Sequence, residues 1–255
     1  QFAIRNSMRV LDFCRQFGDF GSFDNVERDA LVLEALQNGE KTAQDGKLLL
    51  DFFLAEEKDD YGVHFAALVP LLAAYASAYE PIMRYLYDIV LREDDAVNTL
   101  LPTYYRYDVA RNAALELLKI GYYAPAHSEI VAYLHSLRTR SLFSEYAPVL
   151  LATLPAGEER RALMQELWLS CRRFSTDCIQ GVIWAFAALR PESGAYFLTL
   201  LADPYYEALD TGGTGNFQAT QAALNAYPLT EQERAQLLAQ CKDARQLKKL
   251  NELRF

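Results

Sequence analysis

The sequence predicts an all-α protein, and three observations carry that expectation. Apolar residues recur at three- and four-residue spacings through nearly every window, the repeat that lines one face of a helix. No alternating apolar and polar run is closed by an Asn-Gly or Asp-Gly hairpin turn. Gly 12 and Pro 9 are few for a strand-and-turn protein of 255 residues. At 51% hydrophobic and 23% charged the composition is that of a globular chain, which sets disorder, collagen and coiled coil aside. A chain of this length buries about 70–75% of its unfolded surface and needs no disulfide or metal staple.

The elements follow in order. Asp24 with Glu27 forms a capping box that opens a helix over 25–37, and Gly39 closes it. Helices are then predicted over 48–57, 63–79 and 81–92. The second of these is the most apolar. Its uninterrupted apolar part, 65–76, is too short to span a bilayer, so it reads as a buried core helix and no membrane association is expected. Helices over 109–120, 129–138 and 158–172 are separated by Gly121 and by Pro155 with Gly157. Helices over 177–189, 195–202 and 218–226 are punctuated by Pro191, Pro204 and the run Thr211 to Asn216. Thr230 with Glu233 forms a second capping box, opening a long helix over 231–250. Most connections are short, and short connections make consecutive helices antiparallel neighbours. The expected architecture is a stack of helical hairpins, an α-solenoid, in one domain over 1–255.

Residues 108–118, Asp-Val-Ala-Arg-Asn-Ala-Ala-Leu-Glu-Leu-Leu, combine an Asp, Val and Arg opening with paired alanines and spaced leucines. This segment resembles the second helix of a HEAT-type repeat, in which small paired residues let two helices approach closely. Asp177, Ile179, Val182, Ala185, Ala188 and Leu189 form a looser echo, and Gln218, Ala219, Ala222, Ala223 and Leu224 a third. The resemblance implies a curved helical scaffold that presents a surface to a partner.

No catalytic motif is found. His127, Glu129 and His135 are the nearest approach to a metal set, but on a helix the histidines stand about 12 Å apart along the axis, and the Pro-Cys-x-x-Cys half of a deaminase site is missing. Asp19-Phe20-Gly21 spells a kinase triplet without the rest of a kinase. The glycine-rich run Thr211 to Asn216 is followed by no Lys-Ser/Thr and preceded by no strand, so it reads as an interhelical loop rather than a phosphate cradle. Cys14, Cys171, Cys178 and Cys241 have no Cys-x-x-Cys spacing, which points to a reducing, cytoplasmic setting, and Cys171 and Cys178, seven apart, read as small buried hydrophobes. Neither a metal site nor a cofactor is expected, and the chain reads as a non-enzyme. It begins at Gln1 rather than Met, with no apolar leader segment, and so reads as a fragment or a trimmed chain.

Charge carries the functional signal. Residues 1–100 hold 9 Lys and Arg against 18 Asp and Glu, whereas 101–255 hold 16 of each, so all of the net −9 lies in the first part. That balance argues against nucleic acid as a partner of the whole surface. The last helix is locally basic, with Lys242, Arg245, Lys248, Lys249 and Arg254 against Asp243 and Glu252. Eleven of the 16 tyrosines fall in groups, Tyr75, Tyr79, Tyr85 and Tyr87, then Tyr104, Tyr105 and Tyr107, then Tyr122 and Tyr123, then Tyr205 and Tyr206. Adjacent tyrosines cannot share one side of a helix, which leaves one of each pair available to a partner.

The expected site is therefore an acidic, tyrosine-bearing surface that captures a basic protein. Glu56, Glu57, Asp59, Asp60, Glu93, Asp94 and Asp95 supply its charge, and Tyr104, Tyr105 and Tyr107 its anchors. In type, though not in motif, such a protein resembles the immunity proteins that neutralise bacterial toxins, many of them basic nucleases. Two other readings stand beside it. One is a general helical-repeat adaptor; the other is an α-helical enzyme or nucleic-acid-binding protein using Arg138, Arg140, Arg160, Arg161, Arg172 and Arg173 to hold phosphates.

Overall fold

The structure is a computed structural model. It describes Val10, Asp12, Glu34, Leu36 and residues 38–56, 62–91, 103–139, 146–174, 179–210 and 215–253, with backbone alone at 55, 56, 62–65, 67 and 103–108. Among these residues all regular structure is helical. The chain divides into two compact units, Gln1–Lys119 and Ile120–Phe255, so the change in charge balance at residue 100 falls inside the first unit.

In the first unit α1 spans Ala43–Glu56, α2 Gly62–Ala74, α3 Pro81–Leu91 and α4 Thr103–Ile120. Helix α1 begins five residues before the expected start at 48, because the Thr42 hydroxyl accepts the Asp45 N–H at 3.1 Å and caps the first turn. It packs on α2, which packs on α3. Gly46 is required where α1 meets the turn after α2, since a Cβ there would lie 2.7 Å from the Tyr79 Cβ. Helix α2 ends at Ala74, short of the expected 79, and the chain turns through 75–78 before Pro81 restarts it. The core joins Leu49, Leu50 and Phe53 of α1 with Leu68, Leu71 and Leu72 of α2 and Ile82, Leu86 and Val90 of α3. Helix α4 starts earlier than predicted and buries Val109, Ala110, Ala113, Ala114 and Leu117, a strip of mostly small residues. Asn112 ties it to α2, its side-chain amide donating to the Ala66 carbonyl at 2.7 Å.

In the second unit α5 spans His127–Ser136, α6 Glu158–Cys171, α7 Gln180–Ala188, α8 Gly194–Ala202, α9 Asn216–Ala226, α10 Glu231–Gln240 and α11 Ala244–Glu252. A 3-10 segment over Ala147–Thr153, opened by Pro148, was not foreseen from the sequence. Helix α7 is the centre, with every side chain from Gly181 to Ala187 buried. Its sequence, Gly-Val-Ile-Trp-Ala-Phe-Ala, is apolar all round, and such a helix is stable only when enclosed. It packs on the 3-10 segment, on α8 and on α9, while α8 also packs on α10 and α5 on α6.

The long helix expected over 231–250 is two helices. The Thr230 capping box opens α10 as predicted, but the chain extends at Cys241 and Asp243, and the Asp243 carboxylate caps α11 by accepting the Arg245 and Gln246 N–H groups at 2.8 and 3.1 Å. A fresh N-cap beats continuation there because Asp favours caps over helix interiors.

Candidate partner-binding surfaces

Glu57, Asp59, Asp60, Glu93, Asp94 and Asp95 lie outside the described residues. Glu56 closes α1, and Tyr104, Tyr105 and Tyr107 lie in the first turns of α4, all four with described backbone alone. What can be built from side chains upward lies at other positions.

Among the described residues no group of three or more His, Cys, Asp or Glu gathers to hold a metal. His127 and His135 instead pair separately with carboxylates of α6. The His127 Nε2 lies 2.9 Å from Glu159, and the His135 Nδ1 lies 2.9 Å from Glu166. Each imidazole bridges α5 to α6.

Four of the six arginines that could hold phosphate are engaged within the protein. Arg138 pairs with Glu166, Arg160 with Glu192 and Arg172 with Asp203, and Arg173 donates to the Leu137 carbonyl at 2.9 Å. Arg140 lies outside the described residues.

The end of α6 carries the most distinctive surface. Leu163, Leu167 and Cys171 form the buried stripe of that helix, and Leu169, two residues from Leu167 and hence about 200° around the wheel, points the other way. It is 70% exposed. Beside it Arg172 lies 4.8 Å over the Tyr205 ring and 5.6 Å over the Tyr206 ring, while the Tyr205 hydroxyl donates to the Arg172 carbonyl at 2.6 Å. Tyr205 is 41% exposed and Tyr206 is buried, as expected for adjacent tyrosines. Trp168, half-buried, stacks on Tyr196 at 5.3 Å and lies 6.2 Å from Tyr206. Trp, Tyr and Arg side chains that reach the surface from a rigid support are the residue types enriched in interface hot spots, and Leu169 adds an exposed apolar side chain beside them. The sequence reading named Tyr205 and Arg172 but not Trp168, Leu169 or Tyr196. A helical wheel of 158–171 carries the missing signal, a leucine off the apolar stripe.

The floor of this surface is well supported. Asp203 opens the 3-10 turn Pro204–Tyr206 by accepting the Tyr205 N–H at 3.0 Å, and the Asn216 amide donates to the Tyr206 carbonyl at 2.9 Å. Beneath it the Cys171 thiol and the Tyr206 hydroxyl lie 3.3 Å apart. Burial pushes both above their ordinary values, so both stay neutral and unreactive at physiological pH.

Comparison with known proteins returns no match, whether by family, by curated sequence or by solved structure.

Proposed function

We propose that the chain is a non-enzymatic protein-binding module, built as a stack of antiparallel helical hairpins similar to HEAT-type repeats, whose acidic first part captures a basic partner. By type it acts as an immunity protein, neutralising a basic toxin such as a nuclease in the cytoplasm. The observation that carries this reading is the segregation of charge, 18 acidic against 9 basic residues in the first hundred and an exact balance of 16 and 16 after them. A one-sided field accelerates encounter with an oppositely charged protein.

Support for the hairpin stack comes from the second unit. There the 3-10 segment, α7 and α9 pack in series, and α8 packs on α10, so elements meet those two places further along. Successive hairpins of a solenoid lie on one another in this way. Glu56, Glu57, Asp59, Asp60, Glu93, Asp94 and Asp95 supply the charge of the proposed site, with Tyr104, Tyr105 and Tyr107 as anchors.

The test is affinity capture from the source cell at low and moderate salt, with the wild-type chain and with a Glu93→Lys, Asp94→Lys, Asp95→Lys variant. A basic protein retained by the first and lost from the second is the expected result. Association of that protein slows about tenfold or more in the variant, while the melting temperature hardly moves, as a role in steering rather than in folding requires. Equal retention by both proteins, or association rates indifferent to ionic strength, defeats the proposal.

A further inference from the structure

We infer that the outward face at the end of α6 is a second docking surface, and that its occupant is an acidic segment of a partner protein anchored by an apolar side chain. The proposal does not rest on the acidic first part of the chain, and its sign is the opposite.

The argument begins with what a partner meets. Leu169 stands free of the core, and Tyr205 and the stacked Trp168 and Tyr196 continue the apolar area beside it. Around Leu169 lie Arg138, Arg172 and Arg173 against the carboxylates of Glu166 and Asp203. The numbers are nearly even but the exposures are not. The side chains of Arg138 and Arg172 are 59% and 60% exposed, whereas Glu166 and Asp203 beneath them are only 16% and 22% exposed. Each carboxylate orients its arginine from below and leaves the guanidinium facing outward. Arg173, also exposed, has a carbonyl rather than a carboxylate as partner. The rim of the patch is therefore cationic on a protein whose net charge is −9.

Charge complementarity selects carboxylates around the rim and an aliphatic or aromatic side chain over Leu169. A guanidinium already held in place by a carboxylate and a tyrosine ring loses little rotamer freedom when it meets a second acid. Nucleic acid is disfavoured at the same place, because the centre of the patch is a leucine, which offers a phosphate backbone nothing to bind. A second copy of the chain is the other rival, since the acidic half of one molecule would meet this rim on another.

A dye-labelled synthetic 15-residue helical peptide, with Leu and Phe on one face and Glu on the other, serves as the probe. Its Lys-for-Glu counterpart and a 15-nucleotide single-stranded DNA serve as controls. By fluorescence anisotropy the full chain is expected to bind the acidic peptide and neither control. Leu169→Asp and Arg173→Ser are each expected to weaken that binding about tenfold, and Leu169→Met to retain it. Thermal melts check that the variants stay folded, and Leu169→Gln replaces Leu169→Asp should the latter not fold. Binding that survives both Leu169 variants, absence of peptide binding, or tighter binding of DNA overturns the proposal. So does sedimentation showing self-association that Leu169→Asp abolishes. Loss of the charge-reversal effect at residues 93–95 bears on the acidic part alone and leaves this test intact.

Discussion

Two buried ionic side chains behave in opposite ways. Asp45 is fully buried in the first turn of α1, and among the described residues neither carboxylate oxygen has a hydrogen-bond partner. Its charge is felt by Tyr75, whose hydroxyl is pushed up to about 12 by burial first and by Asp45 second. A buried carboxylate without hydrogen bonds is a net loss to folding. Asp45→Asn is expected to raise stability by about 1 kcal/mol despite a weaker helix-dipole interaction, read as a higher urea midpoint. Arg190 is the contrary case. Its guanidinium donates to the carbonyls of Ala187, Tyr227 and Pro228, pairs with Glu233 at 3.3 Å and lies 5.3 Å over the Phe197 ring. Burial draws its pKa down and Glu233 partly restores it. Arg190→Met strips donors from those carbonyls and is expected to cost about 2–4 kcal/mol in chemical unfolding. Neither role is legible in the sequence, where Asp45 sits in a polar stretch and Arg190 before a proline, because burial of a charged residue is decided by distant elements.

One helix start is written in full in the sequence. The capping box at Thr230 forms in full, with the Glu233 N–H donating to the Thr230 hydroxyl at 3.1 Å and the Thr230 N–H to the Glu233 carboxylate at 2.8 Å. Thr230→Ala is expected to cost about 1 kcal/mol, measured by thermal melting. The same chemistry operates at Thr42 and Asp243, where the sequence reading placed no helix start. Periodicity alone carried the expected helix through 241–243, since apolar spacing is indifferent to a break filled by one capping residue. Gly215 is a position where the turn demands glycine, with φ 76° and a Cβ that would lie 3.0 Å from the Gln180 amide nitrogen. The fold of the 3-10 segment was not legible, because Ala-Pro-Val-Leu-Leu-Ala-Thr is equally apolar in several conformations.

For the whole molecule, burial of neutral acids sets the response to alkali. Tyr75, Tyr206, Cys171 and Cys241 all titrate above their ordinary values, with burial the first cause in each. In each the protonated form is the folded one, so the stabilisation is complete below the unfolded-state values of about 8.5 for Cys and 10 for Tyr. It is lost as pH climbs through the higher folded-state values. The urea midpoint is therefore expected to hold steady from pH 7 to about 8.5 and to fall between about pH 9 and 11. Both described cysteines, Cys171 and Cys241, are free and buried, so alkylation of either in the native state is expected to be slow and to accelerate on unfolding. Among the described residues no helix is long and apolar enough to cross a membrane.

The sequence by itself determined the all-α class, the places where most helices lie and the charge imbalance between its parts, because spacing, capping and charge are local or additive. Tertiary structure alone decided which polar groups are enclosed, that α7 is the centre of its unit, and that arginines near Leu169 are held from beneath by carboxylates. Those outcomes depend on residues about 30 or more positions apart meeting across helices, as His135 and Arg138 meet Glu166 and Arg172 meets Asp203, and no local pattern records such meetings.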